Sequence, residues 1–370
     1  LEPMELVDID QVIKVKKIWS SKVGSKSEFL RVALRPASDG SRIYAASYDG
    51  KVTAYDPESG SQVWRTDLDI ELTAGPGVGE GYLAVVAKDG FAVLLNTTTG
   101  EEIWRADVAG ESLAKPLIKD NSVIIQTIDN RLQALSLFDG DNRWSIVQTP
   151  PALTMRGSSS PVIVGNAVIA GFDSGRLVSA DIDTGTIIWE SLLAPPKGRS
   201  DLDRLSDIDG SMAVVGQDLY ASGYQGRLAA IASESGQILW TRDISSYEGV
   251  AADWTSLYTV SDSGEIVALG RQNGNESWRN GSLLRREPTV PVPFGTTVVV
   301  GDLEGYLHFF NTIDGEAVAR VRLGGEAVTA DPFVMANRLY VQSDSGQLAA
   351  YVLVDDRPKR KAAENAEDGS

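Results

Sequence analysis

A spacing rule of ten and then four residues runs through this 370-residue chain. A turn glycine recurs at Gly50, Gly90, Gly175, Gly226, Gly264, Gly305 and Gly346, with Asn130 in the one remaining copy. Ten residues after each of the first seven turn positions stands a second glycine: Gly60, Gly100, Gly140, Gly185, Gly236, Gly274 and Gly315. Tryptophan follows four residues later at Trp64, Trp104, Trp144, Trp189, Trp240 and Trp278, and only the seventh copy differs, with Ala319. Successive turn positions lie 40, 40, 45, 51, 38, 41 and 41 residues apart. Units of about 40 residues that each hold several short strands are the sequence form of propeller blades.

The turn before the second strand needs a positive φ, which glycine adopts freely and asparagine tolerates. That accounts for Asn130 as the substitute. The second glycine follows Ser, Thr or Asp in six of the seven copies, and Asn273 in the other, and makes the next hairpin turn. The tryptophan then falls at a fixed place on the outermost strand, where a large ring covers the gap between neighbouring blades. Trp254 stands outside this register and reads as core or loop packing. The eighth unit, RLYVQSDSGQLAAYV, stops after its second strand, and VKKIWSSKVG at the N-terminus, with Trp19, supplies the missing piece. The expectation is an all-β, eight-bladed propeller of four-stranded antiparallel blades over 1–354. The strand around Trp19 closes the last blade and removes two sheet edges. Residues 355–370, DDRPKRKAAENAEDGS, read as a disordered charged tail.

Composition narrows the chemistry. The chain has no cysteine, which removes disulfides and thiolate nucleophiles, and one histidine, His308, which reads as a strand-filling side chain. A net charge of −17 repels phosphate backbones, so nucleic acid is not expected as a partner. No run of 18 apolar residues is present, and the opening LEPMELVDID has no apolar signal core. No catalytic, cofactor-binding or metal-binding residue is assigned. The many Asp and Glu residues leave a carboxylate-only enzyme as an open possibility.

The element in AYDPESGSQVW and SADIDTGTIIW is similar to the repeat of pyrroloquinoline quinone dehydrogenases, which are also eight-bladed. Those enzymes set a vicinal cysteine pair against the quinone and hold calcium, and this chain has no cysteine. Two inter-repeat segments resemble the BamB family more closely: PALTMRGSSSPVI (150–163) and DLDRLSDIDGSM (201–212). The second lies in the widest interval, 51 residues. In that family the two segments bind the periplasmic POTRA domains of BamA, within the outer-membrane β-barrel assembly (BAM) complex. By position, the resemblance assigns partner binding to Leu153, Met155, Arg156, Asp207 and Asp209, with Met155 where the family usually has Leu. It also implies a non-enzymatic scaffold, contact with unfolded outer-membrane proteins, and a lipid anchor upstream of this chain at the periplasmic face of the outer membrane. On the residues alone, the structural reading carries more weight. In it, Leu153 and Met155 fill the first strand of blade four and the aspartates cap turns. The interface reading leads once the resemblance is added. A dehydrogenase-like enzyme and a propeller that senses a ligand in its central channel remain as alternatives.

Overall fold

Segments such as YLAVVA, SVIIQT and TVVVG are apolar on both alternating faces, the pattern of strands buried on two sides. In the computed structural model these segments are the inner strands of eight four-stranded antiparallel sheets. The structure describes residues 2–25, 32–151, 157, 159–173, 175–193, 207–208, 210–224 and 226–354, and no helix occurs among them. We name the strands of each blade A to D from the axis outward. In blade one these are Ala37–Ser38, Ile43–Ala46, Lys51–Tyr55 and Gln62–Asp67. Strands B and C are almost wholly buried, whereas D strands such as Glu102–Asp107 bury little more than their tryptophan.

Blade eight is built as the sequence implied. The N-terminal strand Lys14–Lys22 pairs antiparallel with Gln347–Val354, and Trp19 lies opposite Ala350. The expected tail, 355–370, lies outside the described residues.

Each tryptophan of the repeat docks on the next blade. Trp64 Nε1 donates to the Thr97 carbonyl at 2.8 Å, Trp104 Nε1 to Leu137 at 3.0 Å, Trp144 Nε1 to Ile182 at 2.9 Å and Trp278 Nε1 to Thr312 at 2.9 Å. The acceptor always lies three residues before the second glycine of the following unit. That glycine then faces the ring: a Cβ added at Gly100 would stand 2.5 Å from Trp64, and one at Gly315 would stand 2.3 Å from Trp278. The ten-plus-four spacing is therefore a contact between blades, with the polar edge of the indole satisfied and its face buried.

Ala319 now has a reason. Its blade precedes blade eight, where strands C and D come from opposite ends of the chain and no turn joins them. The docking turn is missing, so a tryptophan at 319 would have nothing to bind. The N-terminal segment covers the position instead: Val12 N donates to the Val318 carbonyl at 3.0 Å, and Arg320 donates to Val7 O at 3.0 Å. His308 sits in a strand as read, buried beneath this segment, with Nε2 2.9 Å from Asp302 Oδ2 and Nδ1 accepting from Arg320 at 3.2 Å. Trp254 is not core. It is 75% exposed on the turn after Val250–Ala252, under the Arg271 guanidinium at 5.4 Å.

One feature was not visible in the spacing. Every D strand carries a β-bulge at the residue before the tryptophan position. Ala54 pairs Trp64 but Tyr55 pairs Gln62, so Val63 is extra, and blade seven skips Val318 in the same way. A bulge re-aims the following side chain and bends the edge strand away from further pairing.

Candidate partner-binding site

The two inter-blade segments flank blade four, whose B strand is Ala167–Phe172. A glycine, Gly171, interrupts that strand, and one described residue of each segment, Ser159 and Ile208, meets it. Ser159, fully buried, accepts from Gly171 N at 3.2 Å and donates to Gly171 O at 3.3 Å. Ile208 presses on the same residue, because a Cβ at Gly171 would lie 2.5 Å from Ile208 Cγ2 and 2.9 Å from Ser159 Oγ. Only the absence of a side chain lets both approach, which is the usual meaning of a glycine inside a strand. Further bonds fix the segments to their neighbours. Ser160 Oγ accepts from Lys115 N at 3.1 Å, and the Asp207 carbonyl accepts from Tyr224 N at 2.9 Å.

Of the five residues assigned from the sequence, Asp207 is described. Leu153, Met155, Arg156 and Asp209 lie outside the described residues. Asp207 is fully buried. Its charge acts on Asp173, whose pKa is pushed up to about 7, first by burial and then by Asp207, against a hydrogen bond from Asn130. Asn130 Nδ2 donates to Asp173 Oδ2 at 2.9 Å, and Asp173 N donates to Asn130 Oδ1 at 3.1 Å. The one non-glycine turn residue is thus more than tolerated, since its amide clasps the next blade beneath the second segment. Sequence reasoning missed Ser159, Gly171, Asp173 and Ile208. The glycine in AVIAGF was the available signal.

A family model described as outer membrane protein assembly factor BamB matches residues 14–89, 48–280 and 282–357. The outer membrane protein assembly factor BamB of Pseudomonas aeruginosa is 41% identical over 353 residues, covering 95% of this chain and 93% of that protein. The Yersinia pestis protein of the same name is 35% identical over 357 residues, with 94% and 91% covered. The crystal structure of BamB from Moraxella catarrhalis superposes with a TM-score of 0.84 at 28% identity, covering 92% of this chain and all of that one. A quinohemoprotein alcohol dehydrogenase from Comamonas testosteroni, at TM-score 0.69 and 13% identity, shares the fold alone. The chain belongs to the BamB family of outer membrane protein assembly factors, a family of non-enzymatic proteins that share their propeller with quinone enzymes.

Proposed function

We propose that this chain is the scaffold subunit of the BAM complex that holds the POTRA domains of BamA through the two segments on blade four. The observation that carries the reading is their convergence on Gly171, which makes neighbours of stretches about fifty residues apart in sequence. Leu153, Met155 and Arg156 are then the direct contacts, an apolar pair beside a cation of the kind that anchors interfaces. Asp209 supplies an acid for a partner Arg or Lys. Asp207, being buried, supports the loop from beneath. By holding BamA, the scaffold assists folding and insertion of outer-membrane proteins, with unfolded substrates as further partners. It works at the periplasmic face of a Gram-negative outer membrane, tethered by a lipid anchor upstream of this chain.

Hot-spot truncations cost about 2 kcal/mol or more. Leu153→Ala with Arg156→Ala is therefore expected to weaken binding to a purified POTRA region at least about tenfold. The circular dichroism spectrum should stay unchanged, because neither residue belongs to the glycine–tryptophan frame. Unchanged affinity in a folded double variant would remove the assignment.

A further inference from the structure

Strand A is two or three residues long in every blade but the second, so the residues leading into it reach the propeller axis. They enclose a cavity of about 270 Å³. Bulk water takes about 30 Å³ per molecule, so the space suits several waters or one small solute. Its lining is divided by charge. Arg35 and Lys115 enter from blades one and three; Glu248 enters from blade six. In a closed ring of eight, blade six stands across the axis from blade two, so Glu248 faces the gap between the two cations.

These three groups have bonding capacity left over. Arg35 Nε is buried and meets no hydrogen-bond acceptor. Neither Lys115 Nζ nor the Glu248 carboxylate makes a hydrogen bond or ion pair among the described residues. Asp331, also in the lining, accepts from Ser211 Oγ at 2.9 Å and from Val290 N at 3.3 Å, and the charge of Arg35 acts on it. Withdrawing charge from water without a partner is costly, and Lys115 on one side and Glu248 on the other keep that cost in the channel.

We propose that this channel binds a small bipolar solute, its carboxylate on Arg35 and Lys115 and its ammonium on Glu248, with the free ends of a short peptide as the matching chemistry. A simple anion would leave Glu248 unpaired, and a simple cation would leave Lys115 unpaired. One molecule carrying both charges satisfies all three. The titration behaviour agrees. Burial, then the charge of Arg35, lowers the Lys115 pKa to about 8. Burial, then the charges of Asp331 and Glu287, raises that of Glu248 to about 8. Each is held away from its charged form by the lack of a counter-ion, which the solute supplies. Such a site is separate from the blade-four segments and stands whether or not they bind POTRA domains.

The test is calorimetric titration of the full chain with glycine, diglycine, triglycine and tetraglycine, and with the N-acetylated and C-amidated form of whichever binds. The expected result is saturable binding at one length, weakened at least tenfold by either cap. Lys115→Met and Glu248→Gln should each lose the same tenfold while melting no lower than the parent, because each removes a half-buried group that is held away from its charged form. The capped peptides test the site even if a variant fails to fold. No saturable binding at any length, or binding indifferent to both caps, would overturn the proposal and leave the channel to water. Binding that is unchanged in both folded variants would overturn it equally.

Discussion

At the scale of single residues, the sequence shows which positions are special but not always why. The second glycines were read as turn formers, and they do take positive φ, 77° at Gly100 and 69° at Gly185. Their closeness to the preceding tryptophan could not be seen, because it joins units some 40 residues apart. Asp173 shows a similar gap. Its place in the turn FDSG looks ordinary, yet the fold buries it beside Asp207 and raises its pKa to about 7. An unfolded aspartate titrates near 4, so the folded chain holds this proton more tightly. Stability from this group is therefore full below about pH 4 and lost as pH rises toward 7. Asp173→Asn is expected to flatten that slope and to stabilise the protein at pH 8 by about 1 kcal/mol or more, one pKa unit being worth about 1.4 kcal/mol. Urea melts of both proteins at pH 5 and pH 8 check this. A variant less stable than the parent at pH 8 would show that the carboxylate is held by interactions stronger than its burial cost.

At the scale of elements, the blades were largely legible. Buried B and C strands read as apolar runs, and the ten-plus-four rule located every C–D hairpin. The bulges were not legible. Val63, Ile103, Ile188 and Leu239 precede their tryptophans and look like core residues, yet each is roughly half exposed at an extra position on the D strand. Spacing alone does not reveal that two residues oppose one. The docking of each tryptophan on the next blade makes position 319 an informative contrast. Trp64→Ala empties a filled interface and is expected to cost about 3–5 kcal/mol. Ala319→Trp restores the repeat consensus but meets no turn, only the packed Leu323, Tyr351 and N-terminal segment. It should destabilise by about 1–3 kcal/mol through overpacking. Paired thermal melts decide it, and a gain in stability from Ala319→Trp would contradict the docking explanation.

At the scale of the whole molecule, ring closure and function rest on different kinds of information. Closure was readable because the eighth unit lacks a strand and the N-terminus carries a spare one with Trp19. Removing residues 1–24 leaves the Gln347–Val354 edge bare and takes away the segment that Met4, Val7 and Val12 bond to Leu284, Arg286, Val318 and Arg320. Aggregation or a large drop in melting temperature is expected, and a monomer that melts normally would refute closure by this strand. The site was legible as two motifs only through family resemblance, since nothing local in residues 150–163 and 201–212 says that they meet. Gly171 explains how they do, by admitting Ser159 and Ile208 to one point on blade four. The central claim is that this side of the propeller, and not its rim elsewhere, faces BamA. A photo-crosslinking residue placed at 153, at 209, or at the highly exposed Ile313 on blade seven tests it in Gram-negative envelopes. The account predicts adducts to the POTRA region from 153 and 209 and none from 313. Adducts from 313 with none from the other two would contradict it.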